Sequence, residues 1–417
     1  MKTRALRLYG AMDLRLEEFE LPPIQEDEIL VEIITDSLCM SSYKAAKLGT
    51  AHKRVPDDAA SNPIILGHEF AGNIVQVGKR HQNQFTPGMK FTIQPALNYK
   101  GTMWSPGYSY PNCGGDATYA ILPPEVMELG CLLIYQGDAY FEASLSEPLS
   151  CSAGAFHAAY HTKMGVYHHE MGIREGGRMA ILGGAGPMGL GAIDYALHGD
   201  RRPSMLVVTD TDAARLARAA ELFPREAAEK EGIALHFVSP PAGKDGVSAL
   251  RAITPDGYDD VLVYTPNVEV LAQASAILGR DGCLNFFAGP TDTEFTAPLN
   301  YYDIHYGSTH VMGTSGGNTD DMKEALTLMA EGRIRPAVMV THIGGLDSAA
   351  DATLHLPELP GGKKLIYTHI NMPLTAIDDF GTLGEKDARF AALEKIVARA
   401  GGLWCLEAEQ YLLKHWD

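Results

Sequence analysis

The pattern of apolar and polar positions changes character once along the chain, near residue 150. Before that point, short apolar runs such as 29–34 are interrupted by frequent glycine, proline and asparagine, which is typical of an irregular all-β domain. After it, apolar strands alternate with helical stretches, which indicates a doubly wound parallel sheet. The predicted strands cover 179–182, 205–208, 260–264 and 283–287, and the predicted helices cover 152–161, 212–222 and 268–278. The chain is therefore predicted to be a two-domain α/β protein.

The alternating pattern ends near residue 313, and the rest of the chain follows a different rhythm. An amphipathic helix is predicted over 319–331, and 370–417 has the apolar spacing of helices. We expect a Rossmann dinucleotide-binding domain over 158–312 and a catalytic domain formed by 1–157 and 313–417. The stretch 370–417 is then a helical C-terminal extension, with packing or a subunit contact as its expected role.

Composition and charge argue against several classes of function. The 417 residues carry 34 basic and 52 acidic side chains, a formal net charge of −18, which argues against general binding of nucleic acids or anionic membranes. No stretch reaches the roughly 18 uncharged apolar residues of a membrane span, and the N-terminus lacks the features of a secretory signal. The six cysteines have no paired spacing, so reduced thiols and a cytoplasmic location are expected.

A glycine motif follows the first strand of the predicted parallel sheet. Residues 184–189 read Gly-Ala-Gly-Pro-Met-Gly and open an apolar helix, which matches the G-x-G-x-x-G pattern of dinucleotide sites. Such glycines allow a tight turn and let the backbone approach the pyrophosphate at the helix N-terminus. The predicted cofactor contacts are Gly184, Gly186, Pro187, Met188 and Gly189 in the motif, with Thr265, Ala288 and Gly289 at the carboxyl ends of later strands.

Asp210 ends the second strand of this sheet, about 20 residues after the glycine motif. A carboxylate at that position binds the ribose hydroxyls and repels a 2′-phosphate, so NAD(H) is favoured over NADP(H). Two alternatives stay open. Asp210 or Asp212 would also serve as a helix cap, and Arg215 could hold a 2′-phosphate.

Cysteine, histidine and glutamate are combined in the predicted β domain. His68 and Glu69 lie where a strand gives way to a turn, and Cys39 precedes them. A thiolate, an imidazole and a carboxylate make a suitable set for catalytic zinc, which keeps one position open. Glu147 is a fourth candidate ligand, and Cys151 is a rival that would otherwise fill space at a helix start. Spacing alone also allows a structural cysteine and a surface His-Glu pair.

A group of basic side chains follows Cys39 in a chain that is otherwise acidic. Such a group could clamp a phosphate by charge-assisted hydrogen bonds. The alternative is a solvated helix face that Asp57 and Asp58 balance. The candidate phosphate ligands are Lys44, Lys47, Lys53 and Arg54, and His52 belongs to the same basic group.

Together these motifs resemble the zinc-containing medium-chain dehydrogenase/reductase family, over about residues 1–370. The order along the chain is Cys39, then Gly67-His68-Glu69, then Glu147-Pro148, then the glycine motif. This use of Cys, His-Glu and a later Glu-Pro is similar to the polyol, sorbitol dehydrogenase-like branch. The resemblance implies a GroES-like catalytic domain, assembly as a homodimer or homotetramer, and one catalytic zinc per chain, with Cys39, His68, Glu69 and Glu147 as its ligands.

Two departures from the family pattern change the expectations. Many members carry four cysteines for a structural zinc around residues 95–115, but only Cys113 lies there, so a four-cysteine structural zinc is excluded. Alcohol dehydrogenases of the family relay a proton through a hydroxyl and a histidine, and the corresponding positions here hold Ser41 and Lys44. The expected catalytic residues are therefore Ser41, Lys44 and Glu147, with the exit route of the proton past Lys44 left open.

The resemblance implies an oxidoreductase that transfers hydride between NAD(H) and a ketose phosphate/polyol phosphate pair, such as L-sorbose 1-phosphate and sorbitol 6-phosphate. Its expected partner is this small sugar or polyol phosphate, with no nucleic acid and no membrane. A dehydrogenase of an unphosphorylated polyol or amino alcohol is the first alternative. The second is a regulatory protein that kept the nucleotide fold without chemistry, and the retained Cys39, His68 and Glu69 argue against it.

Overall fold

The computed structural model describes residues 1–163, 165–240 and 243–416. The chain divides into two compact units, one formed by Met1–Glu147 with Met339–Asp417 and the other by Pro148–Val338. The functional domain limits expected from the sequence, 157 and 313, stay a prediction beside this structural division. The predicted fold class is confirmed, because one unit is β-rich and the other contains a parallel Rossmann-type sheet.

The first unit begins with strands and short helices. In chain order they are β1 (Lys2–Gly10), β2 (Asp13–Glu20), β3 (Ile29–Ser37), α1 (Met40–Leu48), β4 (Ile64–Ile65), β5 (Phe70–Val77), β6 (Lys90–Ile93), β7 (Tyr119–Leu122), α2 (Pro124–Glu128), β8 (Leu132–Ile134) and α3 (Tyr140–Ala158). Helix α3 continues past Glu147, where the second unit begins.

Strands and helices alternate through the second unit. They are β9 (Tyr160–Thr162), β10 (His169–Met171), β11 (Arg178–Leu182), α4 (Pro187–His198), β12 (Met205–Thr209), α5 (Ala213–Leu222), α6 (Arg225–Lys230), β13 (Ala234–Val238), α7 (Gly243–Ile253), β14 (Tyr258–Val263), α8 (Val268–Ile277), β15 (Leu278–Phe286), α9 (Tyr301–Gly307), β16 (His310–Gly313) and α10 (Thr319–Ala330).

The chain then returns to the first unit and ends in helices, as predicted. These elements are β17 (Val340–Gly345), α11 (Ala349–Leu354), β18 (Lys363–Tyr367), β19 (Thr375–Ala376), α12 (Phe380–Gly384), α13 (Ala388–Arg399) and α14 (Leu406–His415). Among the residues that the structure describes, no helix has the length and apolar character that a membrane crossing needs.

The first unit is organised around strand β3. Its main sheet has the order β19-β17-β18-β3-β5-β6-β8, with β7 also paired to β3, and β2-β1-β4 form a smaller sheet. Strand β3 pairs with β18, β5 and β7, so its apolar residues are buried in the core together with Phe70 and Phe91. The strand ends at Ser37, and Cys39 follows it as the N-cap of α1.

The second unit contains a six-stranded sheet in the order β13-β12-β11-β14-β15-β16. All neighbouring strands are parallel, so their carboxyl ends share one edge. The chain order reverses between β11 and β14, which is the place where open α/β sheets bind their ligands. The sheet therefore prepares a dinucleotide site at the loop after β11.

The predicted strands of this sheet correspond to β11, β12, β14 and β15, and two predicted helices correspond to α5 and α8. Strands β13 and β16 lay outside the prediction because their sequences, ALHFV and HVMG, mix polar and apolar residues. The helix predicted at 152–161 begins at Tyr140 and ends at Ala158. The backbone N–H groups of Tyr140 and Phe141 donate to the carboxylate of Glu409, a cap that the local sequence does not reveal.

Candidate active site

Cys39 is positioned by the transition from β3 to α1. It is the N-cap residue of α1, with an extended backbone, and Ser41 lies in the first turn of the helix. The Ser41 hydroxyl donates a hydrogen bond to the Cys39 sulfur over 3.0 Å. The thiol is thus placed at the end of a buried strand, with a hydroxyl beside it.

His68 and Glu69 are positioned by a turn that requires glycine. Gly67 has a φ of +90°, and a Cβ there would lie 2.5 Å from the backbone nitrogen of Asp116. This turn leads directly into β5 and buries His68 and Glu69. One donor atom each from Cys39, His68 and Glu69 lie within 4.8 Å of one another, so the structure brings the predicted trio together.

A buried lysine, Lys363 of β18, faces Glu69. Its ammonium lies 2.5 Å from both carboxylate oxygens, and the Ser37 hydroxyl also donates to this carboxylate. Burial alone would raise the pKa of Glu69, but Lys363 and His68 hold it below its ordinary value. Burial alone would lower the pKa of Lys363, but Cys39 and Glu69 raise it. Both groups are therefore charged at neutral pH.

Glu147 lies beside the same group of residues. It is on α3, is only 8% exposed, and its charge raises the pKa of Lys363 and of Cys39. The main cause at Cys39 is burial, which raises the pKa of the thiol to about 11. Cys151, the rival ligand, is on α3 in the second unit and does not belong to this group of donor atoms.

The donor set of the trio fits zinc. Burial lowers the pKa of His68 to about 4, so its imidazole is neutral and a ring nitrogen is available as a ligand at pH 7. Sulfur, nitrogen and carboxylate oxygen are the ligand types that catalytic zinc takes. A divalent ion with Lys363 would balance three anions, the Cys39 thiolate and the carboxylates of Glu69 and Glu147. The formal charge of the loaded site is then zero, which suits a buried position.

A second group of donor atoms lies in the second unit and is explained without a metal. His157 is within 2.6 Å of Asp321, 3.3 Å of Glu324 and 3.5 Å of Asp200. The hydrogen bond with Asp321 is the main cause of the raised pKa of His157. The hydrogen bond and the ion-pair contacts account for this group, so we propose no metal there.

Tyr108 also lies at the site, although no sequence motif points to it. Its hydroxyl donates to Ser41 Oγ over 2.8 Å and lies 3.0 Å from His68 Nδ1. Its ring stacks on His52, with centroids 5.8 Å apart and planes at 15°, and it is only 1% exposed. Tyr108 therefore connects the metal-ligand candidates with the basic group that follows Cys39.

The four candidate phosphate ligands are not equivalent in the structure. Arg54 lies over the Tyr108 ring, with its Cζ 5.2 Å from the centroid. Lys44 is half-buried on α1, and Lys53 is exposed. Lys47 is exposed too, and its ammonium is 5.8 Å from the Tyr43 ring. Burial, followed by the charges of Arg54, Lys53 and Lys44, lowers the pKa of His52 to about 4, so three of the four cations lie near His52.

The second unit has a cleft of about 490 Å³ at the glycine motif. The three glycines have different tasks there. A Cβ at Gly184 would lie 2.7 Å from the Ile181 side chain, and one at Gly189 would lie 2.2 Å from the Gly184 carbonyl, whereas Gly186 faces open space. Close packing thus requires Gly184 and Gly189, while Gly186 leaves room for a pyrophosphate.

Most of the predicted cofactor residues line this cleft, and some do not. Gly186, Pro187, Met188, Gly189, Asp210 and Thr265 line it. Gly184 is buried beneath it, and Ala288 and Gly289 are not among its lining residues. The sequence reasoning missed Thr209, Asn267 and Gln273, which also line the cleft. Thr209 ends β12, Asn267 is the N-cap of α8 and Gln273 lies on α8, so their positions near the carboxyl ends of strands were the available signal.

The structure separates the tasks of Asp210 and Asp212. Asp212 caps α5 by accepting from the N–H groups of Ala214 and Arg215, and it pairs with the Arg215 side chain at 3.5 Å. Asp210 accepts hydrogen bonds from the N–H groups of Ala185 and Asp212 and lines the cleft. Asp210 is therefore the carboxylate at the cofactor cleft, and Asp212 is the helix cap.

Two family profiles match the chain. The profile described as alcohol dehydrogenase GroES-like domain matches residues 25–129, and the one described as zinc-binding dehydrogenase matches residues 187–331. The first region contains Cys39, His68 and Glu69, and the second contains the glycine motif from Pro187 onward together with Asp210.

Two relatives match nearly the whole chain. Mannitol-1-phosphate 5-dehydrogenase of Aliivibrio fischeri is 52% identical over 100% of this chain and 98% of its own length. L-sorbose 1-phosphate reductase of Klebsiella pneumoniae is 51% identical over 99% of this chain and 98% of its own.

The fold has counterparts among solved structures. The crystal structure of 2R,3R-butanediol dehydrogenase from Bacillus subtilis has a TM-score of 0.72 and 21% identity, and it covers 88% of this chain and 100% of its own. The site, the profiles and these similarities agree. The chain belongs to the zinc-dependent medium-chain dehydrogenase/reductase family and is an enzyme of its alcohol and polyol dehydrogenase type.

Proposed function

We propose that this enzyme uses zinc and NAD(H) to interconvert a ketose phosphate and a polyol phosphate, such as L-sorbose 1-phosphate and sorbitol 6-phosphate. The observation that carries the proposal is the convergence of Cys39, His68 and Glu69 within 4.8 Å. The phosphate is supported by two relatives at 52% and 51% identity whose names specify sugar or polyol phosphates.

In this proposal Cys39, His68 and Glu69 hold the zinc, and Glu147 lies beside it or completes its shell. When bound, zinc acts as a Lewis acid toward the substrate oxygen, and the nicotinamide carries the hydride. Lys363 keeps Glu69 ionised and oriented by bonding both of its oxygens. Such partners of metal ligands fix the ligand's orientation.

The hydroxyl of Ser41 is the proposed hydrogen-bond partner of the reacting substrate oxygen. It lies 3.0 Å from the Cys39 sulfur and 2.8 Å from the Tyr108 hydroxyl. A group that is held from two sides keeps its oxygen in one place, which favours orientation of the substrate. Lys44 lies on the same helix. We propose that it takes the place of the histidine that relays the proton in alcohol dehydrogenases of the family.

The cofactor proposal is a preference for NAD(H), with one zinc per chain. Asp210 is held at the cleft by two backbone N–H groups, and a carboxylate there repels a 2′-phosphate. Arg215 is paired with Asp212, which reduces its availability to a phosphate. We also propose a homodimer or homotetramer, which sedimentation or light scattering measures directly.

A substrate panel on the purified enzyme tests the proposal. We expect about one zinc per chain, faster oxidation with NAD+ than with NADP+, and a preference for sorbitol 6-phosphate or mannitol 1-phosphate over sorbitol and mannitol. Comparable kcat/KM values for sorbitol and sorbitol 6-phosphate would leave an unphosphorylated polyol as the substrate. Protein that contains neither zinc nor activity would favour the regulatory alternative.

A further inference from the structure

We propose that Arg54 is the principal ligand of the substrate's phosphate group, assisted by Lys53 and Lys44. This assignment rests on the proposed function, because the phosphorylated substrate class comes from there. Of the four basic candidates, Arg54 is then the main ligand, and Lys53 and Lys44 add positive charge. The phosphate site lies next to Tyr108.

The Arg54 guanidinium contacts the face of the Tyr108 ring, but no carboxylate among the described residues pairs with it. Its Nε is shielded from solvent and makes no hydrogen bond in the described part of the chain. A shielded donor without an acceptor costs free energy until a ligand supplies one. The planar fork of arginine matches phosphate oxygens in two parallel hydrogen bonds.

The surrounding charges also favour an anion. Arg54, Lys53 and Lys44 all lower the pKa of His52, after burial as the main cause, so their charges act together at one point. The alternative to a phosphate site was a solvated helix face whose positive charges Asp57 and Asp58 balance. Neither aspartate forms an ion pair in the described part of the chain. The cations are therefore not neutralised by these carboxylates.

Tyr108 sets the separation between the phosphate and the reacting carbon. The Arg54 Cζ lies 5.2 Å from the centre of the Tyr108 ring, and the hydroxyl of the same ring contacts Ser41 and His68. The proposed phosphate ligand and the proposed metal ligands are thus one tyrosine side chain apart. That span is comparable to a few carbon–carbon bonds, as a short polyol phosphate needs.

The proposed site does not include Lys47. Its side chain is exposed, and its ammonium lies 5.8 Å from the centre of the Tyr43 ring. No contact in the described structure joins it to Arg54 or Tyr108.

The test compares Arg54→Ala with the wild type on sorbitol 6-phosphate and on sorbitol. We expect kcat/KM for the phosphorylated substrate to fall about 10- to 100-fold, as loss of hydrogen bonds to a charged group implies. Turnover of sorbitol changes by less than about threefold, because sorbitol makes no such contact. Arg54→Lys keeps the charge without the fork, so we expect a smaller loss of about 3- to 10-fold.

Arg15→Ala is the matched control. Arg15 also lies over a tyrosine ring, 4.2 Å from the centre of Tyr9, but it is paired with Asp13. Its replacement should leave the preference for the phosphorylated substrate unchanged. Inhibition by inorganic phosphate, measured with sorbitol as substrate, gives a second reading that we expect Arg54→Lys to weaken.

The outcomes separate this assignment from the proposed function. A wild type that prefers sorbitol 6-phosphate, with the same preference in Arg54→Ala, overturns the role of Arg54 alone. A wild type without any preference overturns the phosphorylated substrate class and this assignment with it. Should Arg54→Ala fail to fold, an unchanged preference and unchanged phosphate inhibition in Arg54→Lys overturn the assignment.

Discussion

Lys363 neutralises the buried carboxylate of Glu69, which lies beside the Cys39 thiol, in the metal-free protein. Lys363 and Glu69 are 4% and 1% exposed, and the ammonium contacts both carboxylate oxygens. A buried ion pair contributes little net stability, but removal of one partner leaves an uncompensated charge. Replacement of Lys363 therefore shows how much the stability of the folded protein depends on this pair.

We expect Lys363→Met to destabilise the metal-free protein by about 3–5 kcal/mol. The zinc-loaded protein should lose less, because the metal then serves as a counter-charge for Glu69. Urea unfolding of both forms, followed by circular dichroism, measures the two losses. The control is Lys79→Met, which removes an exposed pair with Glu26 and should change little. Equal losses in the two forms would argue that Lys363 does not compensate Glu69.

Among the secondary-structure elements, β12 is expected to determine the choice between NADH and NADPH, because Asp210 follows its carboxyl end. Asp210→Asn keeps an oxygen that can accept from the N–H groups of Ala185 and Asp212 but removes the charge. The ratio of kcat/KM for NADPH to that for NADH should rise about tenfold or more, since repulsion of the 2′-phosphate is lost. Asp212→Asn, at the helix cap, should leave the ratio unchanged. A wild type that prefers NADPH contradicts this prediction.

The N-terminus of α3, the helix of Glu147, is held by the C-terminal extension. The carboxylate of Glu409 on α14 accepts from the N–H groups of Tyr140 and Phe141 and from the Tyr367 hydroxyl. Burial raises the pKa of Glu409 to about 7. The extension thus has a structural task, since it caps the helix that carries a residue of the site.

This cap predicts a specific dependence of stability on pH. The folded pKa of Glu409 is raised, so the native state binds more protons than the unfolded state between about pH 4.5 and pH 7. The contribution of Glu409 to the free energy of unfolding therefore falls as the pH rises through this window. Glu409→Gln removes the titration, and the difference between wild type and variant should shrink or reverse from pH 5 to pH 8. Urea unfolding at several pH values measures it, and a difference independent of pH would contradict the cap's titration.

Over the whole molecule, the features that could be predicted from the sequence are those that depend on local patterns of residues. Alternating apolar runs predicted β11, β12, β14 and β15, and the glycine motif predicted the cleft. Lys363 and Tyr108 were missed because their contacts with Glu69 and Ser41 span 294 and 67 residues. A lysine in the apolar run KKLIY was the available hint of a buried charge. Pairing between distant strands, which sets these contacts, has no signature in spacing.

The division of labour between the two units leads to the last prediction. The residues proposed for zinc belong to the first unit, and those lining the cofactor cleft belong to the second. Cys39→Ala should therefore lose zinc and turnover but bind NADH with a Kd within about threefold of the wild type, as sites without shared partners behave independently. Cys151→Ala, which removes the rival thiol, should keep both zinc and turnover. Zinc analysis, steady-state rates and NADH fluorescence titration measure these quantities. Loss of zinc from Cys151→Ala, with zinc retained in Cys39→Ala, would transfer the ligand role to Cys151.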